Sequence, residues 1–400
     1  MSQTGNPKSV SPAPEIVWIG NDRNLAEMVD YLADQQEIAV DTEFHREKTY
    51  FPRLALVQFG VPGKAFLVDP FAVHCSKLAP LMSSGAELVF HALEQDLDIL
   101  ERATGERAKR VFDTQLAASF IGLSRPSLAH LADRILSVEL PKADRLSDWT
   151  QRPLSDAQKR YAASDVAHLL DLKRVISDQL AAADRLDWVY EELDISASKR
   201  KGPTDPEFAW LKIKECRGLR GTTRKVAKSV AEWREERAME QDVPPRYILG
   251  DLTVAAIAQL VPNTKADLLK VRGLDSRQLA NGLDAELLEA VKQGIEMDKV
   301  PEYPQGQEES IRGNGAVVSL CISWLAQRCS DEKLDPQIVG TRDDVACLIA
   351  GEKDARLGHG WRFDMVGKEL LKVAAGELCL TGGRGGTVVA IPVQPEDLVT

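Results

Sequence analysis

The sequence predicts an α/β domain with a mixed sheet, followed by two helical segments. Between residues 15 and 195, short β-prone runs come first, then alternate with helical runs, and helices follow. A polar stretch with two prolines, 196–206, separates this region from residues 207–295, which contain no strand pattern. The chain has 400 residues, enough for two to four domains at roughly 100–200 residues each.

The elements of the first domain are predicted in order. Apolar and β-branched runs between turn signals predict strands at 16–19, 37–44, 54–59, 65–68 and 88–91. Apolar residues recurring every three or four positions predict helices at 21–35, 77–82, 94–103, 112–122, 128–136 and 156–180.

The remaining chain is predicted to be mainly helical. Residues 207–295 fit four or five short helices, interrupted by prolines and by Gly273. A linker at 296–311 leads to 312–394, where helices give way to a glycine-rich turn and a strand at 387–393. Residues 1–14 lack an apolar signal-peptide core, and their serines and prolines predict a disordered tail.

Composition excludes several classes of protein. The longest stretch without Lys, Arg, Asp or Glu is residues 313–327, shorter than the ~20 residues of a membrane-spanning helix. The six cysteines show no Cys-x2-Cys spacing, so we expect reduced thiols in a cytoplasmic protein, without a zinc site or disulfides. No small-molecule cofactor is indicated.

The charge is unevenly distributed along the chain. The formal net charge is −11, but residues 212–228 carry seven basic side chains against one acid. These basic residues are Lys212, Lys214, Arg217, Arg220, Arg224, Lys225 and Lys228. Such a stripe favours contacts with phosphates, although a solvated helical face would have the same composition.

Asp41 and Glu43 are the first candidate functional residues. They lie two positions apart on a predicted strand, so alternation points both carboxylates to one face. The apolar neighbours Ile38 and Val40 place the pair at the end of a buried strand. Like charges beside a core are costly unless a cation neutralises them, and hard oxygen ligands favour Mg²⁺ or Mn²⁺.

Three further residues join this pair. Asp96 follows a predicted strand in the first turn of a helix, where an acid is also common for its effect on the helix dipole. Tyr161 and Asp165 are four positions apart on a later helix, hence on one face. Each alone fits an ordinary structural position.

The order of these five residues resembles the tyrosine branch of the DEDD exonuclease superfamily. The segments around them resemble motif blocks of ribonuclease D: VDTEFHREKTYFPRLALVQFG, FHALEQDLDIL, FDTQLAASFIGL and YAASDVAHLLDL. The histidine of the sister branch would stand five residues before the last acid, where this chain has Arg160. Residues 207–295 resemble the HRDC module that follows the exonuclease domain in ribonuclease D, and 312–394 would be a second, HRDC-like module.

The resemblance implies a ribonuclease H-like exonuclease domain over residues 15–195 that hydrolyses RNA from the 3′ end with two divalent cations. Asp41 would bridge both ions, Glu43 and Asp165 would complete the first site, and Asp96 would contribute to the second. Tyr161 would orient the attacking water, since a tyrosine with its ordinary pKa near 10 is a poor base at neutral pH. The implied products are nucleoside 5′-monophosphates.

Further residues are candidates for RNA contact. Aromatic and basic side chains near the acids could stack on bases or bind phosphates of a single-stranded end. They are Phe44, Arg46, Tyr50, Arg53 and His91, joined by Lys212, Arg217, Arg220 and Arg224 of the basic stripe. Phe44 and Tyr50 fit core positions equally well, and a satisfied buried histidine is the alternative for His91.

Three functions remain open at this point. The resemblance favours a monomeric exoribonuclease that trims the single-stranded 3′ ends of tRNA precursors. A DNA exonuclease of the same fold would need the same acids, because the residues that read the 2′-hydroxyl are not evident. A non-catalytic RNA-binding scaffold is the third, and the presence of all five residues counts against it.

Overall fold

The computed structural model describes residues 13–141, 147–198, 202–276, 279–300 and 315–393. Most of the predicted N-terminal tail and parts of both predicted linkers lie outside these ranges. We call residues 15–198 the sheet domain, residues 206–296 the middle segment and residues 315–393 the C-terminal segment. Within the described ranges, no helix combines the length and apolarity needed to cross a membrane.

Six strands form one mixed sheet in the sheet domain, in the order β1-β4-β3-β2-β5-β6. They are β1 (Glu15–Ile19), β2 (Glu37–His45), β3 (Arg53–Val61), β4 (Lys64–Val68), β5 (Glu87–Phe90) and β6 (Val111–Asp113). The three strands β2, β3 and β4 are antiparallel neighbours, whereas β1, β5 and β6 add in parallel. The predicted α/β domain with a mixed sheet is confirmed.

Twelve α-helices of six or more residues are described. They are α1 (Asp22–Ala33), α2 (Glu94–Thr104), α3 (Thr114–Ser119), α4 (Asp156–Ala167), α5 (Leu169–Ala182), α6 (Leu186–Ser198), α7 (Gly221–Glu240), α8 (Asp251–Leu260), α9 (Leu283–Glu296), α10 (Gly315–Glu332), α11 (Arg342–Ile349) and α12 (Lys368–Ala374). The seven-residue 3-10 helix Pro206–Lys212 and shorter helical turns, including Pro245–Ile248, connect them. A two-stranded antiparallel ribbon, β7 (Leu378–Gly382) and β8 (Val388–Pro392), closes the C-terminal segment.

Three sequence predictions of local structure were wrong. The helix predicted at 112–122 begins only after β6, because Asp113 ends the strand and caps α3. The helix predicted at 156–180 is two helices that meet at His168. The C-terminal segment contains a two-stranded ribbon where a single strand was predicted.

The hydrophobic cores divide the chain unevenly. The middle segment has a core of its own, centred on Trp210, Val230 and Ile257. The C-terminal segment has none, because its buried residues form one continuous cluster with those of the sheet domain. The sequence predicted two similar helical modules, so this difference in packing was not foreseen. The predicted domain boundaries themselves stay predictions.

Candidate active site

Strand β2 carries the first two acids, Asp41 and Glu43, beyond the segment that pairs with β5. Ile38, Ala39 and Val40 are buried, and β2 pairs with β5 only from Glu37 to Ala39. Asp41 and Glu43 therefore lie past the end of that parallel pairing. On the other side β3 continues, with Gln58 opposite Asp41 and Leu56 opposite Glu43. At the two acids, β2 is therefore paired with β3 alone, and α4 packs above them.

Helix α4 crosses the sheet closely at Gly60. A Cβ atom at that position would lie 2.8 Å from both the Cβ and the backbone oxygen of Val166. The buried alanines Ala162 and Ala163 keep this face of the helix thin. Ser155 caps the start of α4 by accepting a hydrogen bond from the Gln158 amide, which fixes where the helix begins. Close packing at these small residues brings Asp165 down to the acids of β2.

Asp41, Glu43 and Asp165 form a three-carboxylate cluster. One oxygen from each lies within 4.8 Å of the others. Burial raises the pKa of Asp41 to about 7. Burial, and then the charge of Asp41, raise the pKa of Glu43 to about 8. Negative charge is therefore costly here without a cation, and the all-oxygen donor set fits a hard divalent ion.

Asp96 lies beside this cluster and is held from β2. Its carboxylate accepts a hydrogen bond from the hydroxyl of Thr42, the residue between the two acids of the strand. Asp96 is buried, and burial followed by the charge of Asp41 raises its pKa well above the ordinary value. The structure thus brings Asp96 near the three carboxylates. It does not belong to the cluster whose oxygens lie within 4.8 Å of one another.

The turn before α2 sets the position of Asp96. Ala92 adopts the left-handed region with φ 66°, which a non-glycine residue rarely does without support. The buried carboxylate of Asp113 supplies that support, because it accepts hydrogen bonds from the backbone amides of Ala92 and Leu93. It also accepts from the amides of Gln115 and Leu116 at the start of α3. One carboxylate therefore ties together the two helix starts beside the site.

Tyr161 lies one helical turn before Asp165 and is half-buried. Its ring lies 6.1 Å from that of Trp149, centroid to centroid. Burial, and then the charge of Asp165, raise the pKa of its hydroxyl above the ordinary value. The hydroxyl therefore keeps its proton at neutral pH and can donate a hydrogen bond.

The candidate RNA-contact residues near the acids have contacts within the protein. The Tyr50 hydroxyl donates to Glu235 Oε1 of the middle segment at 2.6 Å. Both ring nitrogens of His91 are engaged, with Thr114 and with the carbonyl of Pro126 at 3.0 Å each. These two residues therefore have structural roles.

The other three candidate RNA-contact residues near the acids differ in exposure and in their contacts within the protein. Arg46 is exposed and donates to Gln95 at 3.3 Å. Arg53 lies 4.8 Å from the Phe71 ring centroid, and Phe44 is half-buried after a register shift in β2. RNA contact by any of the five stays a prediction.

The basic stripe is not one continuous exposed face. Lys228 is buried and pairs with Glu232 at 2.8 Å, and the Arg224 guanidinium lies 4.8 Å from the Trp210 ring centroid. The exposed positive charges are concentrated just before α7, at Lys212, Lys214, Arg217 and Arg220. A surface for phosphates would therefore consist of these four residues.

Sequence reasoning missed three residues of this region, Thr42, Gln58 and Glu235, and the hydrogen bonds that Asp113 accepts from the turn before α2. Asp113 is also the N-cap residue of α3. The polar Gln58 within an otherwise apolar strand, LALVQFGV, was the available signal that an unusual buried group stands there. Thr42 and Glu235 act through contacts 54 and 185 residues away in sequence, which no local pattern indicates.

Comparisons with known proteins match two of the three parts of the chain, the sheet domain and the middle segment. A family model described as 3′-5′ exonuclease matches residues 16–181, and an HRDC domain model matches residues 223–291. Ribonuclease D of Acidiphilium cryptum is 34% identical over 392 residues, covering 95% of this chain and 98% of that protein. Ribonuclease D of Zymomonas mobilis is 32% identical over 376 residues, covering 92% and 96%. The chain belongs to the ribonuclease D family.

The fold of a solved ribonuclease D is shared along nearly the whole chain. The crystal structure of Escherichia coli RNase D superposes with a TM-score of 0.79 and 24% identity, covering 90% of this chain and 99% of that one. As a member of the ribonuclease D family, the protein is a 3′–5′ exoribonuclease, and its HRDC domain indicates nucleic-acid binding. The exonuclease fold implies divalent metal ions, and the three-carboxylate cluster fits them.

Proposed function

We propose that the protein trims 3′ ends of structured RNAs, with tRNA precursors as the main substrate, and releases nucleoside 5′-monophosphates. The observation that carries the proposal is the cluster of three carboxylates, Asp41, Glu43 and Asp165, in which burial raises the pKa of the two acids on β2. Action as a cytoplasmic monomer is part of the same proposal. A DNA exonuclease with the same acids is the alternative that the experiment below separates.

We assign the roles of the five residues as follows. Asp41, Glu43 and Asp165 would hold one Mg²⁺ or Mn²⁺ ion, and Asp41 with Asp96 a second. Bound there, the ions would lower the pKa of a water and neutralise charge on the departing 3′-oxygen. Thr42 fixes the Asp96 carboxylate through its hydrogen bond. Tyr161 would orient the attacking water as a hydrogen-bond donor, since its raised pKa keeps the hydroxyl protonated.

The choice of substrate rests on the relatives and on charge. The curated relatives are named ribonuclease D, and the Escherichia coli protein is described as an exoribonuclease involved in structured RNA processing. Lys212, Lys214, Arg217 and Arg220 place four exposed positive charges on the middle segment. Such charges bind phosphates of the RNA body without sequence preference, while the acids act on its 3′ end.

The test uses a 5′-labelled tRNA with extra 3′ nucleotides. With Mg²⁺ we expect a ladder that shortens from the 3′ end, and none with chelator. Asp165→Asn should lower the rate at least about 100-fold, because the substitution removes a charged metal ligand, and metal-ion stabilisation of the transition state is worth several kcal/mol. Asp178→Asn, an exposed acid on α5, is the matched control and should cleave normally.

Three outcomes would contradict the proposal. Full activity of Asp165→Asn would exclude the assigned site. Faster shortening of a DNA strand of the same sequence would replace RNA by DNA as the substrate. Bound tRNA without any ladder would favour the scaffold function instead.

A further inference from the structure

Gln58 lies directly beside the three-carboxylate cluster, inside the protein. It pairs with Asp41 across the antiparallel strands β2 and β3. Residues opposite each other in such a pair point to the same face, with Cβ atoms about 4.5–5.5 Å apart. Two positions away on the same face of β3, Leu56 shares a core cluster with Ala162, and Gly60 lies against Val166. Gln58 is therefore enclosed between the sheet and α4.

The amide group of Gln58 is buried without a hydrogen-bond partner. Its side chain has no exposed surface, and neither Nε2 nor Oε1 has a partner among the described residues. Buried polar groups in proteins are nearly always hydrogen-bonded, because an unpaired one destabilises the fold. Away from Asp41, its neighbours Leu56 and Leu67 are apolar members of a core cluster, so methionine would fill the space without that cost. Packing alone does not account for a glutamine here.

We propose that Gln58 is a positioning residue for the Asp41 carboxylate in the metal-bound enzyme. The inference rests on the proposed function, since it takes Asp41 as a metal ligand. Because Gln58 and Asp41 face each other across the strand pair, a rotation of the Gln58 side chain would turn its N–H group toward the Asp41 carboxylate. That hydrogen bond would hold one Asp41 oxygen while the other binds the cation. An amide can hold the carboxylate without changing the net charge of the site. A lysine or arginine would cancel part of the negative charge that attracts the cation.

The test measures metal binding without RNA. Mn²⁺ is titrated into metal-free wild type and Gln58→Met by calorimetry. We expect the Kd to rise about tenfold or more, the usual effect of losing a hydrogen bond to a metal ligand. Thermal unfolding of the metal-free Gln58→Met variant should occur at the same or a higher temperature, because the unpaired amide is gone. A purely structural glutamine would lower the unfolding temperature instead.

A control and a second variant make the outcomes distinct. Leu67→Met changes the residue that pairs with Gln58 on the other side, in the same core, and should bind Mn²⁺ like wild type. Gln58→Leu replaces Gln58→Met if the latter does not fold. Wild type that binds no Mn²⁺ would contradict the proposed metal site itself. Wild type that binds while Gln58→Met binds equally well, or while Leu67→Met is weakened as much, would overturn only the role of Gln58.

Discussion

The middle segment and the C-terminal segment contact the sheet domain in different ways. The middle segment has its own core and touches the sheet domain through polar contacts at the loop between β2 and β3. Tyr50 donates to Glu235, and the Phe51 amide donates to Asp242 at 3.0 Å. Arg246 donates to the carbonyl of Glu47 at 3.4 Å. All three contacts lie close to Glu43 in sequence.

The C-terminal segment contacts the sheet domain at α6, through an aromatic stack and buried ion pairs. Its Trp361 stacks on Trp188 of α6, with ring centroids 4.9 Å apart and planes 11° from parallel. Beside this stack, the buried Glu192 accepts hydrogen bonds from Arg362 and from Arg356. The comparison shows that two helical segments of similar length serve different purposes. One completes the body of the enzyme, and the other contacts the loop that follows the candidate metal ligands.

The largest expected effect is on stability, at the contact of the C-terminal segment. Arg362→Ala removes one partner of a buried ion pair and leaves the Glu192 carboxylate with less compensation, which costs about 3–5 kcal/mol. Amide hydrogen exchange, measured by region, should show faster exchange in the sheet domain and the C-terminal segment together. The middle segment, with its separate core, should exchange as in wild type.

Lys368→Ala is the control for this substitution. It removes a cation from the same segment but from an exposed pair with Asp364, which is worth less than about 1 kcal/mol. Faster exchange of all three regions in Arg362→Ala would show that the middle segment is not independent and would remove the basis of the comparison.

The next effect is on RNA affinity, at the middle segment. Reversing the charges of Lys214, Arg217 and Arg220 to Glu should weaken tRNA binding about tenfold or more at low salt. The dependence of log K on log salt concentration should become flatter by roughly one unit for each phosphate that the variant no longer neutralises. Binding is measured over a salt series with Asp165→Asn as background, so that the RNA stays intact.

Arg23→Glu is the comparison for charge alone. Arg23 is exposed on α1 and pairs with Glu27, on the sheet domain. An equal flattening of the salt dependence per reversed charge in both variants would mean that the middle segment has no special part in RNA binding.

The smallest expected effect is on catalysis, through the loop between β2 and β3. Tyr50→Phe removes the hydroxyl that donates to Glu235 and so loosens the loop from the middle segment. We expect kcat on a short single-stranded RNA to fall about two- to fivefold, below 1 kcal/mol of activation free energy. Such a substrate reports on the active site rather than on the RNA-binding surface.

Tyr31→Phe makes the same chemical change on α1, where the ring packs against Phe66. It should leave kcat unchanged. If Tyr50→Phe raised KM alone with kcat intact, the contact would serve RNA binding and not the geometry of the site.

Much of the candidate site could be predicted from the sequence, because local periodicity decides it. Alternation along β2 placed Asp41 and Glu43 on one face, and the helical repeat placed Tyr161 and Asp165 on another. The sequence does not show that these two faces meet, because that depends on the tertiary contact of Val166 with Gly60. The three-residue strand β6 was missed because a short apolar run before a helix cap has no distinct periodicity.

The packing of the C-terminal segment could not be predicted for a different reason. Its helices have apolar faces like those of an independent domain, and the sequence does not state which surface will cover them. The buried partner, around Trp188 and Glu192, lies more than a hundred residues earlier in the chain. The side of the segment that packs on α6 carries an aromatic ring and two arginines, Trp361, Arg356 and Arg362.

The close crossing of α4 over Gly60 offers a practical handle on the enzyme. A single added methyl group at this glycine would meet a backbone oxygen at 2.8 Å, which cannot rotate away as a side chain can. The helix would have to lift, and Tyr161 and Asp165 would lift with it. Gly60→Ala would therefore misalign the reactive centre while keeping every acid and every surface charge in place. Such a protein would serve as a trap that retains natural RNAs for identification by sequencing.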